Sequence, residues 1–273
     1  LSRLIRRLCG LSIGQEKDYL VRHRLEPVIH SHGLDGFEHL LVRLQARGGA
    51  ALQHAVVEAI TTKETSFFRD RAFFEALEKR VLPECAEALQ AAGGRRQRIR
   101  MWSAGTATGQ EAYSLAMLVS DFVKDGGDPR LQESRFSILA TDISTAALET
   151  GRAGHYRRSQ VDRGLSAARL QRHFRQQGTH YVAGEPLRRL VQFKRQDLLS
   201  SPAHLGPFDL ILCRNVLFYF DEPTRRRVCH DLHQVLQHGG WLGLGAAESL
   251  YGVCDLFESV RVGKTMLYRK PQQ

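Results

Sequence analysis

The chain has 273 residues, 42% hydrophobic and 25% charged, with 39 Lys and Arg against 29 Asp and Glu for a formal charge of +10. Apolar content on that scale offsets the entropy of ordering a chain, which excludes a disordered protein, and the length accommodates one large domain or two smaller ones. No run of about 18 apolar residues exists, which excludes a membrane-spanning helix, and the excess of positive charge points to an acidic or polyanionic partner.

The opening segment LSRLIRRLCGLSIG is too polar and too soon interrupted for a secretory leader, so the expected compartment is the cytoplasm. Residues 1–62 read as a small all-helical domain. Leu1, Leu4, Ile5 and Leu8 recur at helical spacing, followed by Tyr19 to His30, Phe37 to Leu44 and Leu52 to Ile60, with glycines between them. Pro27 is expected to kink or restart the second helix. Thr61-Thr62-Lys63-Glu64 has the form of a capping box, which predicts a helix through Phe67, Phe68, Phe73, Phe74 and Leu77 towards Val81. Pro83 and the polar stretch to Arg98 read as a linker, so 63–98 is a connecting segment.

From Ile99 to the end, short apolar runs alternate with helical patterns: IRMWSA, a helix from Glu111, FSILATD, a helix from Thr145, LVQFKRQD, FDLILCRN, a helix from Glu222, WLGLGAAE and TMLYRK. That alternation predicts an α/β fold with a doubly wound, mostly parallel sheet. An Arg-rich excursion between Gly151 and Asp197 contains a polar loop from Gly178 to Pro186, and a small antiparallel β insertion is expected over about 165–196.

In a doubly wound sheet, ligands sit outside the carboxyl ends of the strands. Ser103 to Gly109 forms a small-residue strand-to-helix turn there, lacking both the second glycine of a dinucleotide fingerprint and the Gly-Lys-Ser/Thr of a triphosphate loop. Asp142 ends the second strand, where a carboxylate can accept both hydroxyls of a ribose or cap the following helix. Asp197 and Asn215 follow two further strands, and the joint pattern points to an adenosine-type cofactor. The five cysteines are scattered with no CxxC pair, which fits reduced thiols, and the twelve histidines show no metal-binding spacing. The four phenylalanines at 67, 68, 73 and 74 and Trp102 are assigned mainly to packing.

The segments TTKETSFFRD (61–70), WSAGTATGQEAYSLAM (102–117), ATDIS (140–144), FDLILCRNVLFYF (208–220) and GAAES (245–249) resemble the chemotaxis receptor methyltransferases of the CheR type. The resemblance covers essentially the whole chain. It implies an S-adenosylmethionine-dependent methyltransferase, Rossmann-like with an N-terminal helical domain, that forms methyl esters on glutamate side chains of chemoreceptor cytoplasmic helices. It further implies that Lys63, Thr65 and Arg69 lie over the cofactor, and that Ala104, Gly105 and Glu111 hold its methionyl part. Asp142 and Ile143 would meet the ribose, Asp197 and Leu198 the adenine edge, and Arg214 and Asn215 the region of the methyl group. Arg69 and Tyr219 take the catalytic, orienting roles, and no metal is implied. Lys63 stands where the family usually has Asn, Ala112 where it often has Pro, and Ala246-Ala247 where it has His-Ser.

A glutamate acceptor is already ionised at neutral pH, given a reference pKa of about 4.3, so the lack of an evident catalytic His or Cys agrees with this chemistry. Three other functions compete. A nucleic-acid methyltransferase suits the charge, but Arg214-Asn215-Val216-Leu217 stands where amino-methylating enzymes carry an Asn/Asp-Pro-Pro-aromatic run, and stacking aromatics for a flipped base are not evident. A non-catalytic receptor-docking or cofactor-sensing module is opposed by the retention of Arg69, Glu111, Asp142, Asn215 and Tyr219. A dehydrogenase lacks its glycine fingerprint.

Residues 151–197 hold 11 Lys and Arg against 3 Asp and Glu, so most of the net charge sits in the excursion. Such a block steers an acidic protein substrate better than it identifies a nucleic acid. The expected partner is therefore an acidic helical receptor bundle, with no nucleic acid and no membrane insertion. The enzyme is expected to be a monomer that does not require a receptor's C-terminal pentapeptide tether, because the 178–186 loop is short.

Overall fold

The computed structural model describes residues 1–12, 14, 18–46, 48–126 and 131–272. Apolar residues at helical spacing build the N-terminal part. Helices α1 (Ser2–Cys9), α2 (Asp18–Ser31), α3 (Phe37–Gln45) and α4 (Ala50–Ile60) each bury one stripe. Ile5, Leu25, Leu40, Leu44 and Val56 meet in a common core, against which Ile143 of the following domain also packs. Pro27 lies inside α2 and does not restart it, since the helix is continuous to Ser31.

The expected capping box does not form. Thr61 closes α4 instead, its hydroxyl donating to Val57 O at 2.9 Å. Residues 61–70 are irregular, and the next helix, α5 (Arg71–Ala76), begins only after Phe68 and Asp70 have taken left-handed backbone angles. Tertiary bonds override the local signal. Phe68 N donates to Ser114 Oγ at 2.9 Å, and Phe67 packs edge-on against Tyr156 and Phe174. The expected linker is also largely helical: a π-turn over Leu77–Val81 leads into α6 (Leu82–Ala91), which buries Leu82, Cys85, Ala86 and Leu89 at i, i+3, i+4, i+7. Pro83 is the second residue of α6 and follows directly on the π-turn.

The large sheet contains β1 (Ile99–Ala104), β2 (Phe136–Asp142), β6 (Val191–Arg195), β7 (Phe208–Leu212), β8 (Leu236–Gly243), β9 (Glu258–Val262) and β10 (Thr265–Arg269). Their order is β6-β2-β1-β7-β8-β10-β9, parallel from β6 to β8 and antiparallel at β10 and β9. All five residues of β7 are buried, as a central parallel strand covered on both faces requires. Helices α7 (Gln110–Asp125) and α12 (Glu222–Val235) lie in the two core clusters that flank the sheet. α7 buries every residue from Gln110 to Asp121. The order turns at β1, flanked by β2 and β7, so the crevice beyond their carboxyl ends is the expected ligand position.

Between α8 (Thr145–Ala153) and β6 the chain builds β3 (His155–Arg157), α9 (Arg158–Val161), α10 (Ala167–His173), β4 (Phe174–Gln177), β5 (His180–Ala183) and α11 (Glu185–Leu190). The antiparallel order β3-β5-β4 starts before residue 165 and ends at Ala183, earlier than expected at both ends. The expected 178–186 loop is a two-residue turn, Gly178-Thr179, followed by β5 and the start of α11. Asp121 of α7 fastens this excursion to the main domain. It accepts from Arg169 (3.1 Å), Arg172 (2.9 Å) and His173 (3.0 Å), which outweigh burial and hold its carboxyl well below the usual range.

Candidate active site

The strand ends converge on a cavity of about 390 Å³ lined by Gly105 after β1, Asp142 and Ile143 after β2, Asp197 and Leu198 after β6, and Arg214 and Asn215 after β7. Thr65 and Arg69 from the irregular 61–70 segment, Glu111 from the first turn of α7, and Tyr219 complete the expected wall. Of the residues expected at the cofactor, Lys63 and Ala104 are not brought to it. Lys63 Nζ instead pairs with Glu58 Oε2 at 2.8 Å, and Ala104 is fully buried in β1. The four phenylalanines and Trp102 are core residues, as expected; Trp102 also donates from Nε1 to Thr141 Oγ1 at 2.9 Å.

Gly105 explains the small-residue turn. Its φ is +78°, and a Cβ there would stand 2.6 Å from Val216 Cγ2, so a side chain would close the cavity between β1 and β7. The turn is pinned by Gly105 N and Thr106 N, which both donate to Thr141 O, at 2.8 and 2.9 Å. Ala107 N donates to Asp142 Oδ2 at 2.8 Å, while Asp142 Oδ1 accepts from Ser144 N at 2.9 Å. Asp142 therefore ties the turn to the start of α8. Each of its oxygens still has a second lone pair for an incoming donor. Burial raises its carboxyl above the ordinary value, and burial does the same to Asp197, whose Oδ1 accepts from Leu199 N at 2.9 Å.

Arg214 is committed to the protein. Its side chain is 1% exposed, with Nη1 on Glu111 Oε2 (3.1 Å) and Nη2 on Asp70 Oδ2 (2.6 Å) and Arg69 O (2.9 Å). Its guanidinium carbon lies 4.1 Å from the Phe73 ring centroid. Glu111 Oε1 accepts in turn from Ser103 Oγ at 2.8 Å. By contrast, the guanidinium of Arg69 and the hydroxyl of Tyr219 have no partner among the described residues, although both line the cavity. These are two of the polar tips left free for a ligand.

The helical domain contributes a wall that the sequence did not disclose: Cys9, Leu11, Leu20, Val21 and Arg24 face the cavity. Arg24 Nη1 donates to Ile60 O at 2.6 Å, joining α2 to the end of α4. Burial pushes the Cys9 thiol up to about 11, and its Sγ lies 3.3 Å from Ile5 O, so it is a neutral wall group. Gln196 and Phe218 were also missed. A usable signal existed for Leu20, which lies beside the Val21, Leu25, Val28, Ile29 stripe and so widens it.

Two half-buried carboxylates with spare acceptor capacity, apolar Ile143 and Leu198, a side-chain-free turn and a free guanidinium fit an adenosine carrying a charged amino-acid tail. Residues 63–266 match the family model described as CheR methyltransferase, SAM binding domain, and residues 1–61 match CheR methyltransferase, all-alpha domain. Chemotaxis protein methyltransferase 1 of Pseudomonas aeruginosa is 40% identical over 266 residues, covering 97% of this chain and 94% of the relative. Chemotaxis protein methyltransferase of Vibrio parahaemolyticus is 39% identical over 269 residues, covering 98% and 94%.

Proposed function

The chain belongs to the CheR methyltransferase family, and from that membership we propose that it methylates glutamate side chains on chemoreceptor cytoplasmic helices, acting as a monomer in the cytoplasm. S-adenosylmethionine supplies a methyl group activated by its positive sulfur. In the proposed arrangement Asp142 accepts from the ribose hydroxyls, Ile143 and Leu198 enclose the adenosine, and Asp197 takes the adenine edge. Thr65, Gly105 and Glu111 surround the amino-acid tail, with Asn215 near the reacting centre. Arg214 acts on the ligand through Glu111 and Asp70, since its terminal nitrogens are already engaged.

No general base is required, because the acceptor carboxylate is ionised at neutral pH. The chain's contribution is alignment and exclusion of water, and alignment alone is worth roughly 7–11 kcal/mol. Charge is neutralised as the methyl transfers, so a strong cationic clamp on the acceptor would favour the ground state. A single Arg69 guanidinium and the Tyr219 hydroxyl orient the acceptor without that penalty. The observation that carries this reading is the convergence of Asp142, Asp197, Gly105, Arg69 and Tyr219 on one cavity.

An acidic protein substrate is supported by the surface of the excursion, where exposed Arg157, Arg175 and Arg188 make no ion pair among the described residues. Several other arginines there are neutralised locally, by Asp121, Asp162, Glu185 and Glu64. The two-residue Gly178-Thr179 turn supports action without a tether. Among the described residues no helix is long and apolar enough to cross a membrane. The deciding experiment is transfer of labelled methyl to a receptor cytoplasmic fragment. The label should be base-labile, as an ester is, and should vanish when the acceptor glutamates are changed to alanine; label on nucleic acid instead would overturn the assignment.

A further inference from the structure

Glu248 follows β8 and is not part of the cavity wall, yet its carboxylate gathers the loop that carries Asn215 and Tyr219. Oε2 accepts from Asn215 N at 2.7 Å and Gly245 N at 2.8 Å, while Oε1 accepts from Val216 N at 2.9 Å and Phe218 N at 3.4 Å. Four backbone donors from two chain segments meet on one side chain. A carboxylate offers about four lone-pair sites, so this one is filled by the protein and has none spare to act as a base. Bonds to an ionised acceptor are also stronger than neutral ones.

The local backbone is shaped around this contact. Asn215 has φ +60°, a left-handed conformation that a non-glycine residue holds only when its surroundings impose it. At Gly245 a Cβ would stand 2.6 Å from Asn215 Nδ2 and 2.7 Å from Glu248 Oε2, so the two segments approach too closely for any side chain. At the far end of the loop in sequence Ser12 N donates to Tyr219 O at 2.8 Å, and Leu11 bridges Phe220. The loop is thus held between the N-terminal segment and a single carboxylate.

We propose that Glu248 is a positioning residue for methyl transfer, folding residues 215–218 into the turn that presents Asn215 and Tyr219 to the acceptor. The proposal rests on the roles given above to those two residues. Its chemistry lies in the acceptor oxygens: Glu248→Gln replaces one of them with a donor that faces backbone N–H groups, whereas Glu248→Asp keeps both on a shorter stem.

The test compares wild type, Glu248→Asp, Glu248→Gln and the neighbouring exposed Ser249→Ala as control. In Glu248→Gln, kcat should fall by about 10–100-fold, the scale of a small misplacement of reacting groups. KM for the receptor fragment and Kd for S-adenosylhomocysteine should stay within about threefold, the split that marks loss of an interaction made only in the transition state. Activity should rank wild type, then Asp, then Gln, with Ser249→Ala at the wild-type level. Amide exchange at residues 215, 216, 218 and 245 should be about tenfold faster in Glu248→Gln, with the β1 and β7 amides unchanged. An unchanged kcat, a Gln variant more active than the Asp variant, or a loss of product affinity as large as the loss of kcat would overturn the proposal. Should the wild-type chain itself fail to methylate the fragment, the proposed function falls, and the exchange data alone decide: unchanged protection at the four amides overturns the role of Glu248, and lost protection with product affinity intact upholds it as organiser of the loop.

Discussion

Arg214 and Glu111 form an ion pair, Nη1 to Oε2 at 3.1 Å, in which the arginine side chain is 1% and the glutamate side chain 11% exposed. Through it β7, α7 and the irregular 61–70 segment become one unit, because Nη2 of the same guanidinium holds Arg69 O and Asp70 Oδ2. Arg69 owes the position of its backbone to Arg214, and Arg69 bears the free guanidinium of the cavity.

Arg214→Lys is therefore expected to be severe despite conserving charge. A single ammonium cannot span Glu111 and Asp70 or lie flat on Phe73. Leaving the buried Glu111 carboxylate without its partner should cost about 3–5 kcal/mol, read as a lowered midpoint in urea unfolding. Glu111→Gln, which leaves Arg214 bonded to Asp70, should cost about 1–3 kcal/mol. A loss below 1 kcal/mol in Arg214→Lys would show that the pair does not organise the site.

Lys63 behaves differently from the expectation that placed it on the cofactor. Its Nζ pairs with Glu58 Oε2, and Ser144 Oγ donates to the same oxygen at 2.6 Å, so Glu58 of α4 reaches across to the start of α8. Burial alone would raise the Glu58 carboxyl, but hydrogen bonds from Lys63, Ser144 and Ala146 outweigh it and hold it below 4.5. A carboxyl depressed by folding contributes stability that is complete above its unfolded value and is lost as pH falls through the folded one. Lys63→Met should cost about 0.5–1 kcal/mol at pH 7, as for a partly exposed pair. The difference from wild type should fade as pH falls below the unfolded value of 4.5 and through the lowered folded one. Kd for S-adenosylhomocysteine should stay within about threefold; a tenfold loss in calorimetry would return Lys63 to the cofactor site.

The fold was legible wherever burial leaves a period in the sequence. The buried strands β1, β2 and β7 and helices α1 to α4 fall where periodicity puts them. β9 was not legible, because Glu258–Val262 is an edge strand with no fully buried residue and so leaves no apolar run. The 61–70 segment was misread because its capping signal is real as a local propensity but loses to Ser114 and Arg214, residues 46 and 144 positions away from their partners. α6 had a clear stripe and was obscured by Pro83. At the site, strand-end residues could be read because sheet topology fixes where strand ends go. The contribution of α1 and α2 could not, because which flank of a helix faces a neighbouring domain is decided by tertiary packing. Glu248 lay within a recognised segment, GAAES, but three of its four partners are backbone amides some thirty residues earlier, which no side-chain pattern reveals.

Asp142 gives the site a pH dependence of defined sign. Burial is the leading cause of its raised carboxyl, with Glu58 adding to the rise and backbone bonds from Ser144 and Ala107 opposing it. In the proposed arrangement the ribose hydroxyls donate to the ionised form, so binding would favour ionisation and release a proton wherever the free site is still protonated. Affinity for S-adenosylhomocysteine should hence be flat at neutral pH and weaken as pH falls through the raised value, above the ordinary 3.8. Asp197, raised by burial in the same cavity, should add to the slope. Asp142→Ala should weaken binding at pH 7 by more than about tenfold, the scale of hydrogen bonds to a charged acceptor. In Asp142→Asn the slope should shrink to the share left by Asp197, because an amide does not titrate. Calorimetry from pH 4 to 8 in two buffers of different ionisation enthalpy reads affinity and proton release together. Tighter binding in acid, or an Asn variant with the full wild-type slope, would place the ribose elsewhere in the cavity.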